Sequence, residues 1–174
     1  MTGKNEKVPV VKDGVQAILL IKNAKNILNQ KIILVQDSDD RGRGDNMCLL
    51  GLPGGGIELG ERPERSLQRE LDEEIALNIK INSLVKFGCY TKLRPGGVTN
   101  NNHLFIAHLN FFNKKKTNDP NEVSDIFVLS FREIFEKARL GLIHEGSIRL
   151  ILHFLNGNRS GSLNEQARYY VYNF

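Results

Sequence analysis

The chain has 174 residues, 40% hydrophobic and 25% charged, with a formal net charge of +4. Those values describe one soluble globular domain with enough chain to bury a core, and the basic charge is too scattered for a nucleic-acid surface, with Lys114-Lys115-Lys116 the one tight run. Two distant cysteines, Cys48 and Cys89, exclude a zinc signature and a disulfide framework, and both fall in strand-like segments, as buried thiols would.

Residues 1–14 are polar and broken by Gly3, Pro9 and Gly14, an arm or an edge strand with no signal-peptide core. Residues 15–21 (VQAILLI) and 31–36 (KIILVQ) are nearly continuous apolar runs, read as buried strands joined in a hairpin through an Asn-rich turn at 22–30. The longest apolar run, 17–21, is too short to span a bilayer, so a cytoplasmic location is the expectation. A charged, glycine-rich loop at 37–46 (DSDDRGRGDN) precedes a short strand at 47–52 and the glycine turn Leu52-Pro53-Gly54-Gly55-Gly56.

Pro63 opens a helix, where its missing N–H costs nothing, and Leu67, Leu71 and Ile75 repeat at i+4 as its buried stripe. Residues 79–85 alternate like a half-exposed strand that 86–93 continue after a bend. A second turn, 94–102 (RPGGVTNNN), leads to a strand at 103–111, and a polar loop at 113–124 carries Glu122. A short strand at 126–129 is followed by a helix at 132–140, with Ser130 as N-cap, Glu133 as its third-position partner and Gly141 as its stop. The last helix, 147–155, starts at a Ser147 cap and ends at Asn156-Gly157, before a polar and then aromatic tail at 158–174. No repeat or linker divides the chain, so 1–174 reads as one α+β domain with an arm and a tail, a mixed twisted β-sheet covered by helices.

Glu70, Glu73 and Glu74 stand at i, i+3 and i+4, on one helical face one turn apart. Acidic helix faces are usually plain solvated surface, and like charges stacked this way destabilise a bare helix. Facing a glycine turn, the same oxygens suit a hard divalent cation, Mg²⁺ or Mn²⁺.

The spacing around them decides between the two. Gly55 is followed after five residues by Glu61, and seven residues later by Arg69-Glu70, Leu71, Asp72, Glu73-Glu74, Ile75, Ala76 and Leu77. This run of 23 residues resembles the Nudix box, G-x5-E-x7-R-E-U-x-E-E-x-G-U with U aliphatic, at every defined position except the last glycine, where Ala76 stands. The resemblance implies the Nudix fold, a mixed sheet sandwiched between helices, and metal-dependent hydrolysis of a nucleoside diphosphate linked to another moiety. It also implies roles. Glu70, Glu73 and Glu74 bind metal, with a backbone carbonyl of Gly54 or Gly55; Glu61 supports the loop or a second metal; Arg69 orients Glu70. A nearby carboxylate takes the proton of the attacking water, so Glu73 and Arg69 stand with Glu122 as catalytic candidates. The departure at Ala76 touches the helix end, where Asn78 is the residue suited to a left-handed conformation.

Downstream, Arg94-Pro95-Gly96-Gly97-Val98-Thr99-Asn100 resembles the Pro-Gly loop of ADP-ribose and nucleotide-sugar pyrophosphatases, with one residue extra. In that branch a loop glutamate acts as general base, and Glu122 matches it by position. Arg41, Arg43, Arg94 and Asn100 are the substrate-binding candidates, since Arg forks suit phosphate oxygens. The four histidines, His103, His108, His144 and His153, show no ligand spacing. The resemblance thus implies a small-molecule nucleoside diphosphate substrate, with neither membrane nor nucleic acid as partner, and the arm permits a homodimer. Two alternatives stay open: a triphosphate, dinucleoside polyphosphate or RNA-cap pyrophosphohydrolase, and a non-catalytic nucleotide-binding domain.

Overall fold

Strands without polar alternation must bury both faces, and the two such runs form the middle of the sheet. The structure, a computed structural model, describes residues 13–21, 26–38, 48–93, 99–114 and 117–157. In it β1 (Gly14–Ile21) pairs antiparallel with β2 (Lys31–Asp37) and parallel with a later strand, β5 (Thr99–Leu109). β3 (Leu50–Gly51) and β6 (Val123–Ser130) both pair antiparallel with β2, and β4 (Val85–Leu93) forms the far edge, antiparallel to β5. The sheet is mixed, in the order β3-β2-β1-β5-β4 with β6 also on β2.

Alternation along the central strands sorts their side chains into two cores. Val15, Ala17, Leu19, Ile33 and Val35 pack with Leu67, Leu71 and Ile75 of α1 (Pro63–Ile75). Ile18, Leu20, Ile32 and Leu34 pack on the opposite face with Phe131, Ile134 and Phe135 of α2 (Phe131–Arg139) and with Ile151 and Phe154 of α3 (Glu145–Gly157). The sheet is therefore sandwiched, α1 on one face and α2 and α3 on the other. Each fully buried aliphatic side chain contributes roughly 1.5–3 kcal/mol, against a few tenths (~0.2–0.5 kcal/mol) for each unfavourable like-charge pair on a helix. The stripe of α1 thus outweighs the repulsion of its acidic face. No helix among the described residues is long and apolar enough to cross a membrane.

Several local expectations change. Residues 81–83 form a 3₁₀ turn, not a strand; the Ser83 and Leu84 N–H groups bond back to Lys80 and Ile81, and Gln68 holds the Ile79 carbonyl at 2.7 Å. Thr99 to Asn102 belong to β5, since Asn102 already pairs with Gly14 of β1 and Tyr90 of β4. β6 is longer than its apolar run because β2 pairs with it from Ser130 to Val123. α3 begins at Glu145, and Ser147 is no cap: its buried hydroxyl accepts the Leu52 N–H at 3.0 Å, tying α3 to the glycine turn. The cysteines are not buried, Cys48 being partly exposed and Cys89 exposed. Asp13 and Gly14 leave the arm for the domain, Asp13 accepting the Asn101 N–H at 2.7 Å. The remainder of the arm, the tail, and Arg41, Arg43 and Arg94 lie outside the described residues.

Candidate active site

The glycine turn is laid against β1 as a short antiparallel partner. Val15 N–H donates to the Gly55 carbonyl at 2.9 Å, Ala17 N–H to that of Pro53 at 3.0 Å, and Ile57 N–H to that of Asp13 at 2.8 Å. Two glycines make the approach possible on opposite sides. Gly54 has φ +138°, and a Cβ there would lie 2.1 Å from the Val15 carbonyl oxygen. A Cβ on Gly55 would lie 2.5 Å from the Glu70 carboxylate. The turn is thus pressed between a strand and the acidic face of α1. Because the Gly55 carbonyl is engaged by β1 and that of Gly54 meets no donor among the described residues, Gly54 is the better placed of the two to offer a backbone oxygen.

Arg69 is the hub of the polar cluster. Its Nη1 donates to Glu70 Oε1 and Glu73 Oε2, each at 2.9 Å. Its Nη2 reaches the Gly56 carbonyl at 3.0 Å, Glu61 Oε2 at 3.2 Å and Ser66 Oγ at 3.3 Å. One guanidinium therefore joins loop and helix. Glu74 lies one turn on, and its Oε2 accepts the Gly54 N–H at 2.8 Å. Glu70 and Glu74 are only 5% and 3% exposed, whereas the Glu73 side chain is 42% exposed, so the three share a face but not an environment. Burial pushes the Glu70 carboxyl above its ordinary range; Arg69 opposes this, while the charges of Glu122 and Glu73 add to it. Burial also acts to raise Glu61, but its bonds from Arg69 and the Glu58 N–H prevail and hold it below its usual value.

α1 ends at the departure from the motif. Ala76 itself takes the left-handed conformation (φ 52°, ψ 38°), which lets the Leu77 N–H return to the Leu71 carbonyl at 3.0 Å. The role expected of Asn78 is filled by the alanine in place.

Beside the cluster opens a cleft of about 420 Å³, lined by Gln16, Glu74, Tyr90, Asn100, Asn102 and His144 among others. Asn100 is buried on β5 and faces this cleft. Glu122 sits on the loop before β6, close enough for its charge to reach Glu70. The structure thus gathers Gly55, Arg69, Glu70, Glu73 and Glu74 around one turn, with Glu122 near enough to act on Glu70 and Asn100 lining the adjoining cleft. Sequence reasoning missed His144, whose Nε2 lies 2.8 Å from Asp37 Oδ2 on the cleft wall. The pair is 107 residues apart in the chain, and no spacing rule could join them.

As they stand, no three carboxylate, histidine or cysteine groups among the described residues converge into a closed set for a metal ion. Arg69 bridges Glu70 and Glu73, and Glu74 faces the turn. The donor chemistry nevertheless fits a hard cation. All the groups are oxygens, two carboxylates are buried, and Glu70 lacks enough positive charge to offset its desolvation.

A family model for the NUDIX domain matches residues 13–151. Among solved structures, the NUDIX domain of Shewanella oneidensis NrtR, crystallised with ADP ribose, has 19% identity and a TM-score of 0.62 over 86% of this chain and 89% of that one. A Francisella tularensis bifunctional NMN adenylyltransferase/ADP ribose pyrophosphatase, complexed with AMP and a Mn ion, has 19% identity and a TM-score of 0.60 over 84% of this chain and 41% of that one. A MutT/nudix family protein from Enterococcus faecalis has 18% identity and a TM-score of 0.56 over 74% of this chain, which spans 47% of its length. At these identities the likeness is one of fold. No curated protein matches the chain.

Proposed function

This chain belongs to the NUDIX domain family, and from that premise we propose that it hydrolyses the diphosphate linkage of a nucleoside diphosphate derivative, ADP-ribose or a nucleoside diphosphate sugar. The products are a nucleoside monophosphate and a sugar phosphate. The observation that carries this reading is the Arg69-centred cluster, which sets Glu70 and Glu73 beside the glycine turn that Glu74 also holds. The fold it shares with an ADP ribose-binding domain and with an ADP ribose pyrophosphatase supports the choice of substrate.

Glu70, Glu73, Glu74 and a carbonyl of the Gly54-Gly55 pair would hold Mg²⁺, or Mn²⁺ in its place. Such an ion, when bound, neutralises the diphosphate charge that repels nucleophiles and makes bound water more acidic. Arg69 bridges and orients Glu70 and Glu73 through one nitrogen. Glu122 accepts a proton from the water that attacks phosphorus, and the bridging P–O bond breaks with its electron pair leaving on the departing phosphate. Asn100 binds substrate within the cleft, and Arg41, Arg43 and Arg94 are proposed as its diphosphate contacts.

A hydrolysis panel in Mg²⁺ tests this, with ADP-ribose, GDP-mannose, UDP-glucose, diadenosine polyphosphates and nucleoside triphosphates, each product identified. Turnover of ADP-ribose or a nucleotide sugar to two monophosphates is expected. Turnover confined to triphosphates or dinucleoside polyphosphates would overturn the substrate class, and tight binding without turnover would overturn the enzymatic reading.

A further inference from the structure

The loop that carries Glu122 is built onto the last turn of α1. Helix C-terminal carbonyls have no intrahelical donors and gather at the negative end of the helix dipole. In α1 the carbonyl of Leu71 is met by the chain's own turn, but that of Glu73 is met from outside. Asn118 N–H donates to it at 2.9 Å, Asp119 N–H at 3.0 Å and Thr117 Oγ1 at 3.1 Å, while Asn118 Nδ2 donates to the Asp72 carbonyl at 2.8 Å. From that anchor Asp119 turns the chain: its carbonyl accepts the N–H groups of Glu122 at 3.2 Å and Val123 at 3.1 Å, and its carboxylate accepts that of Asn121 at 3.1 Å. On the far side the Glu122 carbonyl accepts the Ser38 N–H at 3.1 Å, just beyond β2. Glu122 is therefore held between an anchor on the carboxylate helix and the end of a central strand.

We infer that Asn118 is a positioning residue: bonded through both side chain and main chain to α1, it fixes the Glu122 carboxylate relative to Glu70, Glu73 and Glu74, so that base and metal-binding carboxylates form one unit. The inference rests on the role given to Glu122 above. The amide of Asn118 matters as a donor; a carboxylate in its place would oppose the Asp72 carbonyl. A displacement of about 1 Å in such a group can cost roughly 100-fold in rate.

The test is a double-mutant cycle with the substrate identified by the panel. Asn118→Ala is expected to lower kcat by about 10–100-fold with KM changed less than about threefold, and to have no further effect in a Glu122→Gln background. Equal losses in both backgrounds, or no loss in either, would overturn the inference. A second readout needs no turnover. Mn²⁺ added to ¹⁵N-labelled protein is expected to broaden the amides of 70–74 in the wild type and in Asn118→Ala alike, whereas the amides of 119–123 exchange faster in the variant alone. Loop exchange unchanged in the variant would also overturn it. Failure of the underlying reading looks different: wild-type kcat in Glu122→Gln removes the base, and unbroadened helix amides in the wild type remove the metal. Amide exchange then decides the anchor, since protection of Asn118 and Asp119 in the wild type must be lost in the variant. Asn118→Asp serves where the alanine variant does not fold.

Discussion

Arg69 spreads two terminal nitrogens over five oxygens of the loop and the helix. A planar fork can do this and a point charge cannot. Arg69→Lys is therefore expected to weaken Mg²⁺ affinity by roughly 10–100-fold with the fold retained, as read by calorimetric titration and circular dichroism. Burial pushes the Glu70 carboxyl above its ordinary range, and the missing side chain of Gly55 leaves room for it. Glu70→Gln keeps the shape and removes the charge, so kcat should fall by about 100-fold or more while thermal stability is held or raised. Full activity in that variant would remove Glu70 from the metal set.

At the level of elements, two helix ends carry measurable free energy. Ala76 holds a left-handed conformation that costs a non-glycine residue roughly 1–2 kcal/mol. Ala76→Gly should raise stability by about 1 kcal/mol in urea unfolding without altering turnover. At the other end, Ser130 and Glu133 form a full capping box at the start of α2, and Ser130→Ala should cost about 1 kcal/mol. Hydrogen bonds from the Ser130 hydroxyl and then its N–H hold the Glu133 carboxyl below its ordinary 4.5. A depressed carboxyl stabilises the fold above the unfolded value and loses that contribution as pH falls through the folded one. The wild type should therefore lose stability faster than Ser130→Ala as pH drops below about 4.5; parallel pH profiles would contradict this. This cap was legible because its signal is local, as were the buried stripe of α1 and the Pro63 start. The 3₁₀ turn at 81–83, the strand start at Thr99 and the helix start at Glu145 were not. Each is set by partners elsewhere in the chain, such as α1 for Ile79 and β1 for Asn102.

For the molecule as a whole, the same distinction separates the parts of the site. The spacing from Gly55 to Leu77 is a local pattern, and it identified the residues that Arg69 gathers. The contacts of His144 with Asp37, of Ser147 with Leu52 and of Asn118 with Asp72 join segments 46 to 107 residues apart, and only the sheet and its two helical layers bring them together. A site of mutually repelling, partly buried carboxylates also leaves the unliganded fold below its attainable stability. Saturating Mg²⁺ is expected to raise Tm, by about 2.7 kcal/mol in stability at a hundred times Kd, and Glu74→Gln should blunt that rise. The most direct measurement is the release of AMP and ribose 5-phosphate from ADP-ribose as free Mg²⁺ is titrated, for the wild type beside Glu74→Gln. Saturable, Mg²⁺-dependent production of both monophosphates, reduced by about 100-fold or more in the variant, is the result expected. Metal-independent turnover, or equal rates in the two proteins, would contradict it.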